Sequence, residues 1–277
     1  MNKIITRFLF FSFVAALSAA SIYAQTSPPA PDDEPDFIVP ARPTVSNPAE
    51  FQRPGVLQLE YGYNANFHAS GNYKYEQDTP LALRFAVNRR LLLELDTDSP
   101  YSQKDLSGVK NTGAGDTQLG IQAVLQPEKE SRPGIALAYY IKLPTASSEK
   151  NLGTGRVDHS FIGLVSKKVG QTTVDFNAIY LLAGRTSGNG FASSGQAALA
   201  VSQNITKQFG VQGEISGSSR NDMQSGAMFG LGVVTYQLNR RVVFDSGLRF
   251  GLTSEAPRVG VVAGITIGIA DLYKKHH

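Results

Sequence analysis

From residue 56 onward, apolar and polar residues take turns along the chain. In VLQLEYGYNANF (56–67), Leu57, Leu59, Tyr61, Tyr63, Ala65 and Phe67 alternate with Gln58, Glu60, Gly62, Asn64 and Asn66. A period of two puts successive side chains on opposite faces of a strand, so this stretch has one apolar and one polar face. The pattern recurs in LALRFAV (81–87), LLLELDT (91–97), DTQLGIQAVL (116–125), GIALAYYIKL (134–143), VDFNAIYL (174–181), RVVFDSGLRFGL (241–252) and VGVVAGITIGI (259–269). It is weaker near 158–167, 195–204, 208–217 and 226–238. About twelve strands result, most of roughly 9–12 residues, the length that crosses a bilayer at a tilt. Strands of soluble domains average about 5–6 residues.

Alternation does not say which face points inward. In a soluble sandwich the apolar face is buried; in an outer-membrane barrel it meets lipid and the polar face lines the interior. Three features favour the barrel. The polar face carries too many Gln, Asn and single charges for a dry core, where each unpaired charge would cost several kcal/mol. The connections alternate short and long: NRR (88–90), KKVGQ and TKQ against DSPYSQKDLSGVKNTG, PTASSEKNLGTGR and GRTSGNGFASS. Short turns on one rim and long loops on the other characterise transmembrane barrels. The six prolines after residue 55 are expected in loops or at strand ends, where they break no ladder. Phe and Tyr on the outward face offer interfacial girdles, although Trp is absent. The rival architecture is a secreted β-sandwich or solenoid, and no fixed repeat of 20–50 residues is visible to support the latter.

Three segments follow. Residues 1–24 (MNKIITRFLFFSFVAALSAASIYA) have a basic start, a short apolar run and a small-residue exit, and read as a signal peptide. Residues 25–55 hold eight of the chain's 14 prolines and read as a periplasmic linker or plug-like arm. Residues 56–277 form the all-β transmembrane antiparallel barrel. An even strand number would put both chain ends in the periplasm, and the expected location is the bacterial outer membrane.

Composition removes several function classes. Cysteine is absent, so disulfides, thiol nucleophiles and zinc–cysteine sites are excluded. A net charge of +3 is too small to argue for nucleic acid. No metal cluster, phosphate loop or cofactor motif is present, and no cofactor is expected. Histidine is confined to His68, His159, His276 and His277. His159 and Ser160 are neighbours on a strand and face opposite ways, so this pair cannot act as base and nucleophile.

The candidate lumen-facing residues are Glu60, Arg84, Glu94, Asp96, Asp116, Gln118, Gln122, Lys142, Asp175, Asn177, Glu214, Asp245 and Arg249. Carboxylates exceed cations among them, although the whole chain is basic. The tight NRR turn should bring Arg84 opposite Glu94. Gly113 and Gly115 permit tight backbone geometry where a long loop enters a strand, and Asp116 then points inward. The plain role for Asp116 is to pair with a lumen cation or to accept backbone N–H groups; the alternative is direct contact with a solute.

GAGDTQLGIQAVL (113–125) resembles the Gly-Asp-x-x-Leu-Gly strand of bacterial outer-membrane transporters linked to the meta-cleavage pathway of phenol degradation. IKLPTASSEKNLGTGRVD resembles that family's Leu-Pro-Thr-Gly loop and Gly-x-Gly element, with Ala146 where the family usually has Gly. SKKVGQTTVDFNAIY is similar to its Ser-Lys hairpin with an Asn on the rising strand. The resemblance implies an outer-membrane channel for small solutes, including neutral aromatic or hydrophobic compounds. Its partners would be outer-membrane lipid and the solutes themselves, and its oligomeric state is left open. A structural or adhesive barrel without transport is the alternative, followed by an outer-membrane hydrolase.

Overall fold

The computed structural model describes residues 36–67, 73–221 and 223–273. The expected signal peptide, the first part of the arm, His68, His276 and His277 lie outside the described residues. The strands are β1 (Val56–Phe67), β2 (Tyr73–Asn88), β3 (Leu91–Asp105), β4 (Lys110–Gly113), β5 (Thr117–Gln126), β6 (Gly134–Leu143), β7 (Asp158–Val169), β8 (Thr172–Gly184), β9 (Phe191–Asn204), β10 (Phe209–Ser218), β11 (Met228–Asn239), β12 (Val242–Gly251) and β13 (Val259–Asp271). Each pairs antiparallel with its neighbours, and β1–β13 pairing closes the sheet. Strand β4 pairs with the outer part of β3 (Tyr101–Lys104), and β5 pairs with its inner part (Leu91–Thr97). The two act as one interrupted strand, so the wall is a closed barrel of 12 strands. At the interruption, Gly115 N–H donates to Asp98 O at 2.6 Å, and a Cβ on Gly115 would lie 2.9 Å from that oxygen.

The barrel is inside out by the standards of a soluble fold. Tyr61, Leu93, Leu95, Leu119, Ile121, Leu137, Phe176, Leu199, Phe244 and Leu248 are exposed. The alternate positions, among them Gln58, Glu60, Arg84, Gln122, Asn177 and Glu214, are buried. Only a lipid surround makes this arrangement favourable, because a band of exposed Leu and Phe is then in its preferred solvent. Outward aromatic pairs mark both ends of the band. Phe67–Tyr75 (5.4 Å between ring centroids), Tyr139–Phe161 (5.2 Å) and His159–Phe191 (5.3 Å) lie toward the long loops, and Phe209–Tyr236 (4.9 Å) toward the short turns. The protein is an outer-membrane β-barrel.

Two expectations need correction. Pro80 and Pro100 lie inside β2 and β3 and not at strand ends. Their ladder is irregular there: register shifts between Asp78 and Pro80, and the bulge absorbs residues that cannot donate. The alternation also leaves HASGNYKYEQD (68–78) and DSPYSQKDLSGVKNTG as long loops, and both are shorter than expected. Residues 73–78 and 98–105 continue the hairpin as strand, with Tyr75 opposite Lys104 and Glu76 opposite Gln103. Polar residues on both faces hide this extension from an alternation-based reading.

Candidate functional site: a lumen threaded by the N-terminal arm

Residues 36–55 run inside the barrel. The arm makes side-chain contacts with one strand after another in a circuit of the wall. Near its start, Val39 N–H donates to Gln58 Oε1 (2.9 Å), and Gln58 Nε2 donates back to Val39 O (2.9 Å). Ala41 and Arg42 N–H both donate to the Glu60 carboxylate, at 2.9 and 3.0 Å. The Arg42 guanidinium crosses to β12 and forms a bidentate pair with Asp245 (3.0 and 3.2 Å). Ser46 N–H donates to Glu214 on β10 at 2.7 Å, and Ser46 Oγ donates to Asp175 O on β8 at 2.9 Å. Asn47 and Asn177 exchange two bonds of 2.8 Å, one in each direction. Ala49 N–H donates to Ser166 Oγ on β7 at 2.7 Å. Gln122 Nε2 on β5 donates to Pro48 O and Ala49 O, at 3.1 and 3.0 Å. Gln52 Nε2 donates to Arg84 O on β2, at 2.9 Å.

These wall residues sit two to five residues from the short-turn ends of their strands. At about 3.3 Å per residue, the arm lies within roughly 15 Å of that rim. Proline explains why it can lie there without becoming a strand. Pro40, Pro43, Pro48 and Pro54 cannot donate, so side chains of the wall, and not a backbone ladder, satisfy the arm's remaining N–H groups. Small and apolar groups complete the seat. Ala49 packs with Ala136, Ala138, Tyr140 and Leu164; Phe51 packs with Ala86, Leu92 and Val124; Phe37 and Ile38 pack with Val56.

Glycines set the depth of the seat. Gly62 and Gly264 are direct register partners on β1 and β13. A Cβ on Gly62 would lie 1.9 Å from an Arg42 guanidinium nitrogen, and one on Gly264 would lie 2.3 Å from Arg42 Nε. The bare backbone of this pair is the space that the Arg42 side chain fills.

Next to the arm lies a dense ionic group. Arg84 is fully buried; Nε donates to Glu94 at 3.2 Å, and one terminal nitrogen reaches Glu60 at 3.3 Å and Val39 O at 2.9 Å. Arg84 and Glu94 are direct partners in the β2–β3 register, as the NRR turn requires. Tyr140 Oη donates to Glu94 at 3.1 Å. Asp96 follows on the same face of β3, its Oδ1 buried without a hydrogen-bond partner among the described residues. A second group lies toward the long loops. Lys142 bridges Asp116 (3.0 Å) and Asp158 (2.7 Å), and Asp116 also accepts Ala146 N–H at 3.0 Å. Gln118 sits in register between Asp96 and Lys142. Arg249 is within electrostatic reach of Asp78 and Glu214.

The structure therefore gathers Glu60, Arg84 and Glu94 into one group, and Asp116 and Lys142 into another. It ties Gln122, Asp175, Asn177, Glu214 and Asp245 to the arm. Sequence reasoning missed the partners that the arm itself supplies, Arg42, Ser46, Asn47 and Gln52. It also missed Gln58, Tyr140, Ser166, Asp78, Asp98 and Asp158 on the wall. The alternation that placed the others extends to Gln58 and Tyr140, and more weakly to Asp158 and Ser166, whereas Asp78 and Asp98 lie in the outer ends of β2 and β3, where both faces are polar and that signal fails. His159 is on the outer face, where its Nδ1 meets Tyr139 Oη at 2.8 Å.

Comparison with known proteins agrees with this architecture. Among curated protein sequences, none matches the chain. Among solved structures, the COG4313 outer membrane channel from Pseudomonas putida F1 superposes with a TM-score of 0.64 at 14% identity, covering 79% of this chain and 97% of that one. The NanC porin superposes with a TM-score of 0.53 at 9% identity, covering 77% and 99%. At these identities the likeness is one of fold. A family model matches residues 41–268, a span that includes most of the lumenal arm as well as the wall. The chain belongs to the family described as "Putative MetA-pathway of phenol degradation".

Proposed function

We propose that this protein is an outer-membrane channel for small solutes, with uncharged aromatic or hydrophobic compounds as its cargo. The carrying observation is a closed 12-strand wall whose buried face is polar and whose short-turn half is crossed by the protein's own arm. A barrel built only for structure gains nothing from burying so many carboxylates and amides. A conduit does, because its interior is wet when solute passes. The family's link to phenol degradation and the fold shared with the Pseudomonas putida outer membrane channel support the same reading.

The arm sets the solute class by size and the wall sets it by charge. Inward carboxylates (Glu60, Asp78, Glu94, Asp96, Asp98, Asp116, Asp158, Asp175, Glu214, Asp245) outnumber Arg42, Arg84, Lys142 and Arg249. Fields in a narrow, low-dielectric channel are focused, so anions are disfavoured and neutral or cationic solutes are admitted. No catalytic role is assigned: the ring of His159 meets a tyrosine on the lipid face, and Ser160 points the other way. Flux of uncharged phenols and of benzoate into proteoliposomes tests the reading. Phenols should enter faster than through empty liposomes, and benzoate should not.

A further inference from the structure

The short-turn rim is basic all the way round. Each short connection carries at least one cation: Arg89 and Arg90 after β2, Lys129 and Arg132 after β5, Lys167 and Lys168 at the end of β7, Lys207 after β9, and Arg240 and Arg241 after β11. At one point three of the rim's guanidiniums converge. Arg53, at the end of the arm, and Arg240 and Arg241, in the β11–β12 turn, place their guanidinium carbons 4.8, 5.6 and 4.1 Å from the centre of the Phe37 ring. With Asp271 and Tyr273 they line a cavity of about 320 Å³.

The charges in this cavity do not balance. Asp271 is the one carboxylate in the lining, and it pairs with Arg53. Arg241 gives one donor to Gly268 O at 3.1 Å. Arg240 makes only the ring contact among the described residues. Tyr273 Oη is already committed to Val87 O at 3.0 Å, so the tyrosine is a wall and not a donor. Guanidiniums carry five N–H donors each and are always charged, so two neighbouring ones without a carboxylate present a surplus of both charge and donors. Arginine forks match phosphate oxygens, and a phosphate is small enough for the space. An aromatic floor under the guanidiniums holds their planes in place without consuming their donors.

We propose that this cavity at the periplasmic mouth is a phosphate-binding site, built from Arg240 and Arg241 with Arg53 beside them. The phosphate is supplied either by the headgroup of an anionic phospholipid in the inner leaflet or by free phosphate. The basic rim concentrates either source, since clustered Lys and Arg attract anionic lipid surfaces and free anions alike. Phe37 and Arg53 belong to the two ends of the lumenal arm, so an occupant also ties those ends to the β11–β12 turn. The site is independent of what passes through the lumen.

The test uses the full chain refolded in detergent. Native mass spectrometry counts bound phosphatidylglycerol against phosphatidylcholine, and a parallel titration with inorganic phosphate follows thermal unfolding. Three proteins are compared: the unaltered chain, Arg240→Gln/Arg241→Gln, and Lys168→Gln/Lys207→Gln, which removes the same rim charge away from the cavity. Retarded migration of unheated samples on a gel confirms that each barrel is folded, and Arg240→Gln alone serves if the double variant does not fold. The expected result is one tightly held phosphatidylglycerol, or saturable stabilisation by phosphate, weakened at least tenfold by Arg240→Gln/Arg241→Gln and unchanged by Lys168→Gln/Lys207→Gln. Phosphatidylglycerol without an effect of phosphate assigns the site to lipid, and an effect of phosphate without lipid preference assigns it to the free ion. Equal loss in both double variants, or binding that survives Arg240→Gln/Arg241→Gln, overturns the proposal.

Discussion

Replacing Arg84 by Met should destabilise the barrel more than any outward substitution of similar size. Arg84 has no exposed side-chain surface, and Glu60 and Glu94 are only 4% and 8% exposed. Removing the guanidinium leaves two carboxylates facing one another, with Asp96 adjacent. Breaking a buried ion pair from one side costs about 3–5 kcal/mol, because the orphaned charge keeps its desolvation penalty. The lost bond to Val39 O adds a charge-assisted contribution of about 1.5–3 kcal/mol, felt by the arm and not by the wall. Urea titrations of the protein folded into lipid vesicles measure the wall term; protease protection of residues 36–55 measures the arm term. Arg84→Met/Glu60→Gln/Glu94→Gln removes all three charges and should recover most of the wall stability but not the arm protection. A loss under about 1 kcal/mol for Arg84→Met alone would refute the claim that these charges are buried and mutually dependent.

Further outcomes follow from the same geometry. Ile121→Arg places a charge in the lipid band and should cost about 2–4 kcal/mol of folding free energy in vesicles, whereas Gln118→Arg, three residues away on the inner face, should cost much less. Gly62→Ala drives a methyl group into the Arg42 guanidinium, so it should raise single-channel conductance by releasing the Asp245 anchor while unfolding in urea stays unchanged. Reversal potentials in a potassium chloride gradient should show cation preference, and Asp116→Asn/Asp245→Asn should move it toward zero by removing two inward negative charges, which frees the Arg42 guanidinium from its only carboxylate partner among the described residues and leaves Lys142 with Asp158 alone. A preference for chloride in the unaltered protein would contradict the reading of the lumen charge.

The wall was legible in the sequence because its signal is local. Alternation over ten residues names a strand and its two faces, and short-turn chemistry fixes the neighbour, which is why Arg84 and Glu94 could be paired in advance. Where both faces are polar, as in the outer ends of β2 and β3, that signal vanishes and strand was read as loop. The seating of the arm was not legible. Asn47 meets Asn177 and Ser46 meets Glu214 across separations of 130 and 168 residues, and nothing in a proline-rich segment announces such partners. The only trace was the polar content of the inner face, which is richer than water alone requires, and the glycine pair Gly62 and Gly264, whose purpose appears only once Arg42 lies across it.

Planar-bilayer conductance of the refolded chain, with and without residues 25–55, tests the central claim most directly. The account predicts small or intermittent conductance for the full chain and a large, steady conductance once the arm is removed, because the wall then encloses an open lumen. Equal conductance in the two proteins, or none in either, would contradict a channel obstructed by its own arm.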